Sequence, residues 1–184
     1  MSLALHFRKA ARNNAWSNDR LLRACLELSE AEFEAKRTSF FPSLHETLNH
    51  NLSIDLYYLD MLEEGGRGLS VFDDFRPLPS RELIGAQRAS DRRLVAFCDS
   101  QDEAALARLV ATDRGEDGMV PERLDDLLAH LFQHQIHHRG QAHAMLAGTR
   151  IAPPQLDEYF LAFDAGRRAA ELKALGLEGP EAVR

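Results

Sequence analysis

The chain has 184 residues, 45% of them hydrophobic and 28% charged, which is typical of a globular domain with a complete core. Its net charge of −7 argues against nucleic-acid binding, which requires clustered positive charge. No apolar run approaches the roughly 18 residues of a membrane span, so no membrane association is expected. Cys25 and Cys98 lie far apart among apolar residues, which predicts two core thiols in a reducing, cytoplasmic compartment.

The spacing of apolar residues predicts four long helices followed by a shorter one. The predicted helices cover residues 3–28, 43–64, 80–100, 121–147 and 155–174. Segment 101–120 is predicted as a short helix or strand followed by a turn, with a small hairpin as an alternative. The predicted fold is all-α, an up-down four-helix bundle with a short additional C-terminal helix. It forms a single domain over residues 1–175, with a frayed tail over residues 176–184.

Two of the predicted helices carry polar residues on their inward faces. In the first helix, Asn14 and Asn18 lie on the apolar stripe, so either they border a cavity or the stripe reaches the surface midway. The second helix is apolar on two lines, one of which contains His50. Such a wide apolar arc indicates a helix that is central in a bundle or shared with a second subunit.

The fourth predicted helix is the most informative part of the chain. Its heptad positions are occupied by Leu124, Leu127, Leu131, His134, His138, Gln141 and Met145. His134 and His138 are one turn apart, so both imidazoles can face the same point, and burying them without partners would cost ~1–3 kcal/mol each. His130 and His137 fall on the flank, and His130 lies about 12 Å from His138 along the axis. The seam pair therefore predicts a metal site.

Two ligands are too few for a tight site, so a third must come from another helix that faces the seam. His50 is the best candidate, because it lies in the middle of an apolar helix face. Asp55 and Glu46 are alternatives, either as ligands or as acceptors that hold an imidazole nitrogen.

Three motifs resemble the DinB/YfiT-like superfamily of metalloenzymes over roughly residues 5–160. They are LHETLNH at 44–50, HxxxHRGQ at 134–141 and AWSNDRLL at 15–22, and a proline pair follows the fourth helix. The resemblance implies a four-helix bundle, commonly a homodimer, with a divalent metal ion held by three histidines. Carried over residue by residue, these ligands are His50, His134 and His138.

The resemblance also suggests a chemistry, because family members are similar to transferases and isomerases that use bacillithiol, mycothiol or glutathione. Three neutral imidazoles leave the charge of a zinc or nickel ion uncompensated, so a thiol or water beside it would be acidified. The leading hypothesis is a metal-dependent transferase that adds a low-molecular-weight thiol to an electrophilic small-molecule substrate. The alternatives are a hydrolase that uses bound water, a non-catalytic metal-binding stress or interaction bundle, and a bundle without metal.

Three polar residues near the predicted ligands each fit two different roles. Gln141 and Asn49 either orient a substrate or stabilise helix packing. Arg139 either binds an anionic thiol or serves as a structural ion-pair partner, and the structural role is favoured.

Overall fold

The computed structural model describes residues 1–178, and four long helices form its framework. The helices are α1 (Leu3–Cys25), α2 (Glu30–Glu34), α3 (Leu44–Leu62), α4 (Ser70–Asp74), α5 (Ser80–Ser100), α6 (Glu103–Leu106), α7 (Leu124–Ala147) and α8 (Ala165–Leu175). The strands are β1 (Leu109–Asp113) and β2 (Met119–Arg123), which pair antiparallel. The predicted all-α bundle with a short additional C-terminal helix is confirmed. No helix among residues 1–178 is long and apolar enough to cross a membrane.

The long helices run up, down, down and up in chain order, so the strict up-down alternation that was predicted is not observed. Side-chain contacts show that α1 is antiparallel to α5, and that α3 is antiparallel to α7. In contrast, α3 and α5 are parallel, since Asp55 meets Gln87 and Glu63 meets Arg93. Residues 63–79, which include α4, return the chain along the bundle between these two helices. The two histidine-bearing helices, α3 and α7, are therefore direct neighbours.

Helix ends follow local capping chemistry at several places. The Ser43 hydroxyl accepts a hydrogen bond from the backbone N–H of Glu46, so it satisfies an otherwise free donor at the start of α3. Ser29 and Glu32 form a reciprocal capping box on α2. Gly148 follows the last residue of α7, as predicted.

The start of the fourth long helix was predicted wrongly. Pro121 lies in β2 opposite Ala111, and α7 begins at Leu124. Proline lacks a backbone N–H, which a two-stranded sheet tolerates because each strand has a free edge. The hairpin alternative for segment 101–120 is the one observed, with the short helix α6 before it.

The last helix was also predicted to begin too early. Residues 155–161 are irregular, and α8 starts only at Ala165. Phe160 and Phe163, which fall within the predicted helix, lie before α8 and are 45% and 64% exposed. The backbone carbonyl of Gln155 instead accepts a hydrogen bond from Arg20 on α1, so long-range contacts hold this segment. Of the predicted tail, residues 179–184 lie outside the described residues.

The core consists of two apolar clusters, one towards each end of the bundle, and each thiol lies in one of them. Cys25 and Cys98 are buried, and burial raises the pKa of both thiols to about 12. A polar layer crosses the bundle between the clusters; it comprises Asn14, Asn18, Asp55, Gln87, Asp91, Gln135 and Arg139. Asn14 and Asn18 belong to this layer, so the stripe of α1 stays buried in its middle.

Candidate metal centre

Three histidines from two helices meet at the level of the polar layer. His50 comes from α3, and His134 and His138 come from consecutive turns of α7. One nitrogen atom from each ring can be chosen so that all three lie within 4.8 Å of one another. The structure thus brings together the three residues that the sequence singled out, in an arrangement that could hold a metal ion.

The geometry of the rings agrees with a shared ligand position. His50 Nε2 and His134 Nε2 are 3.0 Å apart, and nitrogen ligands of one tetrahedral zinc ion are roughly 3.4 Å apart at the usual bond length. The ring centroid of His138 lies 4.8 Å from that of His50 and 4.5 Å from that of His134. Two facing imidazole nitrogens can share one hydrogen bond, and the His138 ring brings a third nitrogen within reach of the same point.

The three rings are held in the neutral form that metal binding requires. Burial lowers the pKa of His50 to about 4 and that of His134 to about 3, and the neighbouring rings add to both effects. Burial also lowers the pKa of His138. At neutral pH each ring therefore has a nitrogen lone pair available.

Gln141 fixes the orientation of His138. Its carboxamide oxygen Oε1 lies 2.8 Å from His138 Nδ1, and this oxygen can only accept, so Nδ1 carries the proton. The lone pair of His138 is then on Nε2. On its other side, Gln141 Nε2 lies 3.2 Å from His137 Nε2. Gln141 was considered either for orienting a substrate or for helix packing, and the structure shows it in contact with a candidate ligand.

Two aromatic residues that precede α3 cover the candidate site. The ring centroid of Phe41 lies 4.4 Å from that of His50 and 5.4 Å from that of His138. Phe40 lies 6.4 Å from His138 and is 77% exposed. Neither aromatic residue was predicted to have a role. The sequence feature that could have pointed to them is their position as an aromatic pair directly before Pro42 and Ser43, where the histidine-bearing helix α3 begins.

A groove of about 460 Å³ adjoins the candidate site on the side of these aromatics. Its lining includes Thr38, Ser39 and Phe40 from the segment before α3, and Gln141 and Met145 from α7. Such a groove is within the size range of small-molecule sites in proteins. None of the three histidines lines this groove, but Gln141 and Phe40, which both contact His138, do.

The alternative ligands on α3 lie elsewhere. Asp55 is fully buried and accepts hydrogen bonds from Gln87 and Gln135, so it belongs to the polar layer. Glu46 is exposed at the start of α3. Asn49 exchanges two hydrogen bonds with the backbone of Leu78, which gives it a structural role rather than a substrate-facing one.

Two further residues of α7 have partners that spacing alone did not reveal. Arg139 is buried and donates from Nη1 to the side-chain oxygens of Asn14 and Asn18, so its contacts are with amides of α1. His130 pairs with the buried Tyr58, with 2.5 Å between His130 Nδ1 and the tyrosine oxygen. The His130 ring lies 6.3 Å from that of His134, outside the group of three.

Comparison with known proteins gives consistent results. A family model described as "DinB family" matches residues 1–169. The curated protein DinB of Bacillus subtilis (strain 168) is 23% identical over 156 residues, which cover 79% of this chain and 88% of that protein. A crystal structure of a DinB-like protein from Bacillus subtilis has the same fold, with a TM-score of 0.58 and 18% identity, covering 84% of this chain and 98% of that one.

Proposed function

Since this chain belongs to the DinB family, we propose that it is a metal-dependent enzyme that activates a low-molecular-weight thiol for transfer to an electrophilic small molecule. In this proposal His50, His134 and His138 hold one divalent ion, zinc or nickel. The observation that carries the proposal is the convergence of three neutral imidazoles within 4.8 Å beside an open groove.

A divalent ion bound there would supply positive charge that lowers the pKa of a thiol or water beside it. The residues of the chain perform the remaining tasks. Gln141 holds the His138 ring with its Nε2 lone pair free. Phe41 covers two of the three rings and limits access of bulk water. The groove beside Thr38, Ser39 and Gln141 offers polar groups that can position a substrate.

Two alternatives share the same three histidines. A hydrolase would use water in place of the thiol, and a non-catalytic bundle would use the ion only to fix α3 against α7. A purely structural zinc ion normally has four protein ligands, whereas catalytic sites keep a position open. Within residues 1–178, no fourth histidine, cysteine or carboxylate joins the three histidines, which supports the enzyme proposals.

The proposal is tested first by metal analysis of protein purified without a histidine tag. We expect one zinc or nickel ion per chain, and we expect His50→Ala to lose it while His137→Ala, an exposed neighbour, retains it. A His50→Ala variant that keeps full metal content would contradict the ligand assignment.

The second test is a reaction screen with metal-loaded and metal-free protein. Glutathione, bacillithiol and mycothiol are each offered with a chromogenic electrophile such as 1-chloro-2,4-dinitrobenzene. We expect metal-dependent conjugation with at least one thiol. Stoichiometric metal without any thiol-dependent turnover would favour the hydrolase or the non-catalytic bundle. The homodimer and the cytoplasmic location stay predictions, and sedimentation analysis tests the former.

A further inference from the structure

A second cavity lies on α7, and none of the three candidate ligands lines it. It has a volume of about 650 Å³ and is bounded by α1, α7 and the segment 153–160. We call it the α1–α7 groove; its lining includes Asn13, Ile136, Arg139, Gly140, Pro154 and Phe160. Its volume is within the range of pockets that bind small molecules.

The roof of the α1–α7 groove is held by specific contacts. His143 Nε2 lies 2.9 Å from the carbonyl oxygen of Pro154, which anchors the proline pair to α7. Arg20 donates to the carbonyl oxygen of Gln155 over the same distance, 2.9 Å, and this bond anchors the segment to α1. Hydrogen bonds from both helices thus hold in place the segment that covers the groove.

The walls of the groove leave large apolar surfaces uncovered. Ile136 is 53% exposed and Phe160 is 45% exposed, and they come from different elements, one from α7 and one from the covering segment. A ligand with an apolar body would remove both side chains from water.

The polar feature of the groove is the buried cation Arg139, which is only 5% exposed. Both of its hydrogen bonds come from Nη1, to the oxygens of Asn14 and Asn18. Nε and Nη2 donate to no residue in the part of the chain that the structure describes, yet neither atom is fully enclosed. Both atoms therefore keep contact with accessible space, and the groove is the cavity that Arg139 lines.

The charge of Arg139 has no direct counter-ion among residues 1–178, since no carboxylate there lies within 4.0 Å of its guanidinium. Asp91 is reached only through the amides of Asn14 and Asn18. Burial raises the pKa of Asp91 to about 7 and that of Asp55 well above its ordinary value, and burial lowers the pKa of Arg139 to about 10, although both carboxyls act on the cation favourably from a distance. Burying an unpaired cation is unfavourable, and a carboxylate is the partner whose geometry matches the guanidinium fork.

We propose that the α1–α7 groove binds a small monocarboxylate with an apolar body. The carboxylate pairs with Nε and Nη2 of Arg139, and the apolar part packs between Ile136 and Phe160. Asp157 stands exposed at the mouth of the groove and disfavours ligands with a second negative charge. This site is independent of the thiol chemistry proposed above, so either proposal can fail without the other.

The experiment compares two matched probes by isothermal titration calorimetry, with the metal-free full-length protein. One is 4-phenylbutyrate and the other is its neutral amide, which has the same apolar body. We expect saturable binding of the carboxylate and roughly tenfold to hundredfold weaker binding of the amide, since hydrogen bonds to charged groups contribute that much. Added salt should weaken the binding of the carboxylate but not the binding of the amide.

Variants then locate the site. Ile136→Glu places a negative charge on the exposed wall and should abolish binding, whereas Phe163→Glu, at an exposed position outside the lining, should leave it unchanged. Arg139→Gln should reduce carboxylate binding to the level of the amide, and circular dichroism verifies its fold. Because Ile136→Glu changes an exposed side chain, it remains informative if Arg139→Gln unfolds.

Three results would overturn the proposal. Equal affinity for the carboxylate and the amide would mean that the cation takes no part. Unchanged binding by Ile136→Glu would place the ligand elsewhere. Absence of saturable binding, together with a wild-type dimer that Ile136→Glu converts to a monomer, would show that a second copy of the chain covers the groove.

Discussion

Replacing Gln141 by leucine removes the acceptor that holds His138 while changing little of the side-chain volume. The lost hydrogen bond is 2.8 Å long, and its partner ring is 7% exposed, so water cannot readily replace the carboxamide oxygen. Loss of a partner that orients a metal-ligating histidine typically weakens metal binding by roughly tenfold to a hundredfold, or about 1.4–2.7 kcal/mol. We expect this increase in the Kd for zinc, with the bundle still folded.

The assay is a competition titration of zinc against a chromophoric chelator at neutral pH. Two variants serve as controls: Gln141→Glu keeps an acceptor for His138 Nδ1, and His137→Gln alters only the opposite contact of Gln141. Both should bind zinc more tightly than Gln141→Leu. If Gln141→Leu stays within about twofold of the wild type, a change smaller than one hydrogen bond, the inferred role of Gln141 is refuted.

Three further predictions concern stability, pH and access to the site. Glu171→Ala removes the acceptor of the indole N–H of the fully buried Trp16, so urea titration followed by tryptophan fluorescence should show a loss of about 1–3 kcal/mol in the free energy of unfolding. The pKa values of His50 and His134 fall from 6.5 to about 4 and about 3, so the folded state holds fewer protons than the unfolded chain below pH 6.5. The metal-free protein should therefore lose stability as the pH falls from 6.5 towards 4, by at most about 1.4 kcal/mol per pH unit and ring, less where solvent screens the charge; a flat profile would contradict this. Phe41→Ala uncovers two candidate ligands and should accelerate zinc transfer to a chelator in stopped-flow measurements, without a matching loss of stability.

The parts of the fold that follow a helical repeat could be predicted from the sequence. The heptad of α7 placed His134 and His138 on one face because the helical period alone determines which side chains are neighbours one turn apart. The position of His50 in the middle of an apolar face was equally informative. Its meeting with the α7 pair depends on the antiparallel pairing of α3 and α7, for which the motif resemblance supplied the evidence.

The remaining features depend on contacts between distant parts of the chain. The extended course of residues 155–161 is maintained by Arg20 from α1, which no local pattern reveals. Pro121 suits the first turn of a helix and the edge of a hairpin equally well, and pairing with Ala111 decides between them. Arg139 looked like an ion-pair partner, yet its partners are two amides on α1, 121 and 125 residues away in the sequence.

The candidate ligands are divided between two antiparallel helices, and His50 and His134 are 84 positions apart in the sequence. An ion held by all three rings would therefore act as a removable cross-link between segments that are remote in the chain, and drawing one helix back from the other would break it. The middle of the bundle would then open less often as the concentration of free metal rises above the Kd. Hydrogen exchange of backbone amides in the middle of α3 and α7 would thus slow when the metal is bound.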